Sequence, residues 1–242
     1  MHKKIAVLAG DGIGPEIIKE AIKVLQAIEK KYNHSFSFEH ALMGAVAIDA
    51  TGNPLPEKTI EICKSNDAIL FGAIGDPKYD NDPNAKVRPE QGLLALRKTL
   101  NLFCNVRPVT IYDRLIESSP LKRDRIEGVD LVIYRELTGG IYFGQKKEAD
   151  EKGIASDLCT YSKEEILRVA HLAFKAAEKR KNKLTLVDKA NVLASSRLWR
   201  SVVTELHSKE YSDVELDFLF VDNAAMQMVL NPAQFDVILT GN

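Results

Sequence analysis

The sequence predicts an α/β protein, with largely parallel sheets and flanking helices. Three observations carry that expectation. Short apolar, β-favouring runs recur at residues 5–9, 68–72, 131–134, 184–187 and 235–239. Amphipathic stretches of helical period stand between most of them, as the crossovers of a parallel sheet require. Hydrophobic content of 45% and charged content of 28% are those of an ordinary globular protein, with no apolar run near transmembrane length.

Taken in order, residues 5–9 read as a buried strand and Gly10-Asp11-Gly12-Ile13-Gly14-Pro15 as a tight loop. Pro15 suits the first turn of the next helix, whose apolar stripe is Ile17, Ile18, Ala21, Val24, Leu25 and Ile28. A glycine-rich strand-to-helix turn suits a nucleotide phosphate, but this spacing is not G-x-G-x-x-G; a turn using glycine for shape alone is the alternative. Residues 36–39 read as a second strand, 56–64 as a short helix and 68–72 as a third strand. Residues 75–90 are polar and turn-rich, with Pro77, Pro83 and Pro89; loops of that length are often functional. Residues 93–102 form a helix bearing Arg97, and 104–109 a strand with Arg107 inside it. A domain boundary is placed between 103 and 104.

Residues 129–136 form a strand that turns on Thr138-Gly139-Gly140 and leaves as a second extended piece, 141–144. The charged stretch 145–160 has no regular pattern. Residues 163–179 are strongly amphipathic through Ile166, Leu167, Ala170, Ala173, Phe174 and Ala177. A strand at 184–187 ends in Asp188-Lys189-Ala190-Asn191. A helix at 195–209 carries Leu198, Trp199, Val202, Val203 and Leu206 on one side. A strand at 214–221, a short helix at 224–230 and a strand at 235–239 complete the chain.

A formal net charge of -1 gives no reason to expect nucleic acid or an anionic membrane as partner. Cys63, Cys104 and Cys159 are too few and scattered for a disulfide framework or zinc site, which points to a reduced, cytoplasmic setting. After His2-Lys3-Lys4 the apolar run is too short for a signal peptide.

Chemistry-bearing residues stand out within this frame. Arg97, Arg107 and Arg135 lie in or beside apolar elements, where a guanidinium needs an anion. Either each has an ion-pair partner or together they bind a dicarboxylic or phosphorylated substrate. Tyr142 follows two glycines, where backbone approaches a ligand closely. Lys189 ends a buried strand: it is a solvent-reaching cap or, where desolvation favours the neutral amine, a base. Asp222 is an N-cap for the helix after it, or a ligand for a hard cation.

The segments YRELTGGIYFG, LLALRKTLNLFCNVRP and VDKANVL resemble the signatures of the β-decarboxylating dehydrogenases, and the resemblance covers essentially residues 5–242. It implies the two-domain fold of that family, which is not a Rossmann fold, here truncated at its C-terminus. Residues 1–103 would be the N-terminal part of the large, cofactor-side domain. Residues 104–242 would be the central domain, with the subunit interface and an arm at about 145–160. It also implies a homodimer with shared active sites and a small-molecule substrate. Tyr142 and Lys189 fall on the catalytic positions. Arg97, Arg107, Arg135 and Asp222 fall on substrate-binding ones, and Asp222 is also a metal ligand. Ile13, Asp76, Pro77, Lys78 and Glu90 fall on the cofactor side, although many members have glycine where this chain has Asp76. The implied cofactors are NAD and magnesium or manganese. In the implied reaction the metal acidifies the substrate hydroxyl and Lys189 takes its proton. Hydride passes to NAD, carbon dioxide leaves, and Tyr142 returns a proton.

Leu93 and Leu94 stand four and three residues before Arg97, on its side of a helix. They are expected to line an apolar pocket that favours the isopropyl group of 3-isopropylmalate, a leucine-biosynthesis substrate, over the carboxymethyl group of isocitrate. Homoisocitrate or tartrate chemistry, and a non-enzymatic truncated remnant, are the alternatives. The family's remaining metal aspartates and its adenosine pocket are expected beyond Asn242, so the 242-residue chain is expected to be inactive alone.

Overall fold

A computed structural model describes residues 1–81 and 85–242. Pro83, one of the prolines of the expected 75–90 loop, lies outside the described residues. The chain divides into two compact units, Met1–Asn101 and Leu102–Asn242.

The first unit runs β1 (His2–Gly10), α1 (Gly14–Tyr32), β2 (Ser35–His40), α2 (Ala45–Thr51), α3 (Glu57–Ser65), β3 (Ala68–Ala73), α4 (Pro77–Asp80) and α5 (Pro89–Thr99). Its strands form a parallel sheet in the order β2-β1-β3. The alternation of β1 puts Ile5 and Val7 on one face, against Ile18 of α1, and Ala6 and Leu8 on the other, with Met43, Leu55, Ile62 and Leu96. The stripe expected of α1 is buried only in part: Ile18 is enclosed, whereas Ile17 and Val24 are exposed. The polar stretch expected as one long loop contains α4 and the start of α5. Pro89 opens α5 in the first turn, where its missing N–H is no loss. That helix therefore begins before, and ends before, the expected 93–102.

Asp11 is the polar centre of this unit. Only 2% exposed, its carboxylate accepts the backbone N–H groups of Ala45 (2.9 Å), Val46 (3.0 Å) and Gly75 (2.9 Å). It thus fastens the glycine loop after β1 to the start of α2 and to the loop after β3. Gly10 is required there: its φ is +72°, and a Cβ would lie 2.0 Å from the carbonyl oxygen of Ala73.

The second unit runs β4 (Cys104–Thr110), α6 (Arg123–Ile126), β5 (Asp130–Glu136), β6 (Lys146–Lys147), β7 (Ser156–Asp157), α7 (Lys163–Ala177), β8 (Lys183–Asp188), α8 (Ala194–Glu210), β9 (Glu215–Phe220), α9 (Val221–Leu230) and β10 (Val237–Thr240). Short 3-10 turns precede α6 and follow α9. The five-stranded sheet has the order β4-β5-β10-β8-β9, parallel except for β4 against β5. Helices α7 and α8 cover one face through Ile166, Ala170, Phe174, Trp199, Val203 and Leu206. On the other face Ala224 of α9 packs with Leu131, Val187, Phe235 and Ile238.

Two expectations fail here. Residues 141–143 form a turn, not a strand, because the N–H of Gly144 bonds back to the carbonyl of Gly140 at 3.2 Å. The only ladder contact of this stretch is the bridge between Gly140 and Thr160, and β5 already has β4 and β10 on its two edges. Asp222 is not an N-cap. Phe220 holds that position and α9 begins at Val221, which leaves Asp222 inside the first turn. The stretch 145–160 is also less irregular than expected, since β6 and β7 pair antiparallel within it.

Candidate active site

The parallel strands of the second unit all end at one edge of the sheet, where α/β folds place their ligands. Register fixes which residues meet there: Thr240 lies beside both Arg135 and Val187, and Asp188 lies beside Phe220. Just past those ends come Gly139-Gly140, Lys189, Asp222 and Asn242. A cavity of about 250 Å³ opens among them, lined by Tyr161, Asp188, Lys189, Ser196, Trp199 and Asn242.

The amine of Lys189 donates to Asp222 Oδ1 at 2.6 Å, with side-chain exposures of 31% and 69%. Of the two readings of Lys189, a solvent-reaching cap or a desolvated base, the structure shows a partly exposed amine paired with a carboxylate. Its hydrogen bond holds the Asp222 carboxyl below the ordinary carboxylate range. The stem of Lys189 is fixed from behind: its backbone N–H donates to Ser196 Oγ (3.1 Å), and its amine lies 5.9 Å from the centre of the Phe220 ring. The preceding residue, Asp188, is buried and accepts two bonds of 2.9 Å from Arg200. The Arg200 guanidinium also lies 4.9 Å from the Phe218 ring and 5.3 Å from that of Phe220.

Arg135 is half-buried at the end of β5. Its Nη2 donates to Asn242 Oδ1 at 2.7 Å, and its guanidinium lies 5.8 Å from the centre of the Tyr142 ring. Among the described residues no carboxylate lies within salt-bridge distance of it. Arg107 on β4 stands opposite Ile133, two residues before Arg135. The two arginines therefore share one face of the sheet and are diagonal neighbours, within reach of one ligand. Tyr142 is 47% exposed. The structure thus brings Arg107, Arg135 and Tyr142 together, and Lys189 with Asp222, along one sheet edge.

The other candidates belong to the first unit. Leu93 packs on its core and Arg97 is half-buried, one turn further along α5. Leu94 is half-buried outside that core cluster. Ile13 projects from the glycine loop with 55% of its surface exposed. Asp76 caps α4 by accepting the Lys78 N–H at 3.0 Å, with Pro77 in the first turn. The Lys78 amine donates to Asp49 at 2.6 Å, a bond that raises its pKa. A Cβ on Gly75 would lie 3.2 Å from Glu90 Oε1, which puts Glu90 beside Asp76. At Gly12, φ is +53° and the Cβ position meets nothing within 4 Å. Exposed Ile13, open Gly12 and the Asp76–Glu90 rim fit a cofactor laid across the ends of β1 and β3.

The metal is a different case. Among the described residues no group of three His, Cys, Asp or Glu side chains forms a cation site. Of the carboxylates at this edge, Asp222 is engaged by Lys189 and the buried Asp188 by Arg200, whereas a hard divalent cation takes about six oxygen ligands. These residues do not by themselves fit a bound metal.

Sequence reading missed Tyr161, Asn242, Arg200 and the central role of Asp11. Arg200 is visible in hindsight, directly after Trp199 on the apolar stripe of α8. Tyr161 and Asn242 carried no local signal, because their contacts span 81 residues.

The sheet edge that presents these arginines, the lysine–aspartate pair and the tyrosine carries the motifs that resemble the β-decarboxylating dehydrogenases. Residues 4–242 match the isocitrate/isopropylmalate dehydrogenase family, and the chain belongs to it. It is 53% identical over 242 residues to the 3-isopropylmalate dehydrogenase of Bacteroides fragilis, covering all of this chain and 68% of that one. With the 3-isopropylmalate dehydrogenase of Clostridium acetobutylicum it is 55% identical, covering 99% of this chain and 67% of the relative. Among solved structures it resembles isocitrate dehydrogenase from Methylococcus capsulatus, with TM-score 0.85, 32% identity and coverage of 100% and 67%. It also resembles a β-decarboxylating dehydrogenase from Thermococcus kodakarensis in its apo form, with TM-score 0.73, 32% identity and coverage of 99% and 64%. The chain thus spans about two thirds of the length of the curated relatives it matches.

Proposed function

We propose that this chain supplies the substrate clamp and proton-transfer groups of an NAD-dependent 3-isopropylmalate dehydrogenase, which oxidatively decarboxylates its substrate in leucine biosynthesis. The observation that carries this reading is that one sheet edge presents two groups, Arg107 with Arg135 and Tyr142, and Lys189 with Asp222, in a chain of this family. The choice of substrate follows the closer relatives, 53–55% identical and named for 3-isopropylmalate, over the isocitrate enzyme at 32%. Leu94, half-buried outside the core of its unit, supports an apolar subsite beside Arg97.

Arg107 and Arg135 hold the substrate's carboxylate by paired, charge-assisted hydrogen bonds. Lys189 takes the proton of the substrate hydroxyl as the carbinol carbon is oxidised. Bound NAD supplies the hydride acceptor, along the Gly12–Ile13 and Asp76–Glu90 rim. Once the β-carboxylate has left as carbon dioxide, the Tyr142 phenol delivers the proton that the enol carbon needs. Magnesium or manganese belongs to this reading, with Asp222 as one of its ligands.

The active unit is a homodimer. Val192, Leu193 and Val221, next in sequence to Lys189 and Asp222, are exposed, as are Met226, Val229 and Leu230 of α9. Apolar surface of that extent marks an interface. In the dimer, Arg135 and Tyr142 face Lys189 of the partner subunit. No described helix is long and apolar enough to cross a membrane. A cytoplasmic location belongs to the same proposal, and the three free cysteines suit it.

The test is the protein expressed from its complete reading frame, incubated with 3-isopropylmalate, NAD and magnesium or manganese while NADH absorbance is followed. Steady NADH formation that stops when the dicarboxylate is omitted is the expected result. No NADH from a folded dimer would end this reading.

A further inference from the structure

Five described arginines of the second unit lie against carboxylates: Arg123 on Glu117, Arg125 on Asp124, Arg168 on Glu136, Arg180 on Asp130 and Asp236, and Arg200 on Asp188. Arg135 ends on an amide. Asn242 Oδ1 accepts from its Nη2 at 2.7 Å, while Asn242 Nδ2 donates to the carbonyl of Gly139 at 3.1 Å. Each end of the amide meets the group it matches, so the side chain has one workable orientation. An aspartate would fail twice at this position. One oxygen would neutralise the guanidinium, and the other would face a carbonyl oxygen.

Asn242 is held in turn by Tyr161, whose phenol oxygen accepts the Asn242 backbone N–H at 2.6 Å. The tyrosine ring fills the space between two turns. A Cβ on Gly140 would lie 2.4 Å from its hydroxyl oxygen, and one on Gly241 would lie 2.9 Å from it. A Cβ on Gly139 would lie 3.0 Å from its ring carbons. Trp199 supports the ring edge-on, with centroids 5.3 Å apart and planes at 86°. One half-buried tyrosine therefore spaces the turn that leads from Arg135 to Tyr142 and the segment that carries Asn242.

We propose that Asn242 and Tyr161 are positioning residues: they hold Arg135 by a neutral amide and so keep its full charge for the substrate carboxylate. The proposal rests on the reading of Arg135 as a carboxylate binder. It predicts that substrate affinity, not the chemical step, depends on the amide.

The test uses the dimeric protein from its complete reading frame, with 3-isopropylmalate and NAD. Asn242→Asp, nearly isosteric, is expected to raise KM about tenfold or more while kcat changes by less than about threefold. Tyr161→Phe keeps the ring and loses only the hydroxyl, and is expected to raise KM in the same direction by a smaller factor. In an Arg135→Met background both effects should vanish, which a general loosening of the fold would not produce. The proposal is overturned if Asn242→Asp leaves KM within about twofold, or if its effect is as large without Arg135. Should circular dichroism show that Asn242→Asp does not fold, Tyr161→Phe is judged by the same criterion, with and without Arg135. Arg135→Met alone separates the two levels. An unchanged KM there would remove the carboxylate-binding role itself, and the proposal with it.

Discussion

Lys189 and Tyr142 have separable tasks, and single substitutions should split them. Lys189→Met in the complete protein should abolish hydride transfer while leaving a folded dimer that still binds the dicarboxylate by calorimetry. Tyr142→Phe should spare much of the first NADH burst and slow the later decarboxylation and proton return. Near-normal NADH formation by Lys189→Met would refute the base assignment. The Arg200–Asp188 pair behind Lys189 is structural by contrast. Arg200→Met would leave a buried carboxylate without its partner, a loss of about 3 kcal/mol that urea unfolding would read directly. Tyr161 gives a pH signature. Burial pushes its phenol well above the ordinary value of 10.0, so the unfolded chain ionises there first. Its stabilising contribution is full below pH 10.0 and is lost as pH rises toward the folded value. Ultraviolet titration should show this phenol ionising only with unfolding, and Tyr161→Phe should flatten the alkaline loss of stability. At this scale the sequence displayed the arginines, the lysine and Asp222 through their motifs. Tyr161 and Asn242 stayed hidden, because a residue whose partners are 81 positions away leaves no local pattern.

At the scale of elements, periodicity did most of the work. Helix α7 (Lys163–Ala177) and strands β1, β5, β8 and β10 were legible because each buries a face whose period is 3.6 or 2. Boundaries were less so: α7 stops at Ala177, short of the expected 163–179, while its start at Lys163 is as expected. Helix α7 starts where its capping box begins, with Ser162 accepting the Glu165 N–H and the Glu165 side chain returning to Ser162. Ser162→Ala should cost about 1 kcal/mol in thermal unfolding, without effect on substrate affinity. The stretch after Gly140 was misread for a physical reason. Ile141-Tyr142-Phe143 has strand composition, but both edges of β5 are occupied and no free edge remains for it. Gly140 is where that turn is decided. With φ at +73° and Tyr161 against its Cβ position, Gly140→Ala should destabilise the turn and lower kcat together with substrate affinity. An alanine variant with normal kinetics would show that the turn does not set Tyr142.

For the whole molecule, composition and strand–helix alternation made the α/β class readable, and the motifs made the family readable. What they could not convey was how unequally the two units are built. The second unit has a five-stranded sheet with helices on both faces, whereas the first has three strands. Hydrogen exchange should therefore show β8 and β10 protected to the global limit, and β3, an edge strand whose residues are all partly exposed or exposed, opening sooner. Equal protection would contradict this ordering.

The most direct measurement is a comparison of kcat/KM for 3-isopropylmalate and isocitrate, with NAD and magnesium or manganese, in the protein from its complete reading frame. An apolar subsite at Leu93 and Leu94 beside Arg97 predicts a preference for 3-isopropylmalate of well over about tenfold, at one to three kcal/mol for each apolar contact. Comparable turnover of isocitrate would contradict the account.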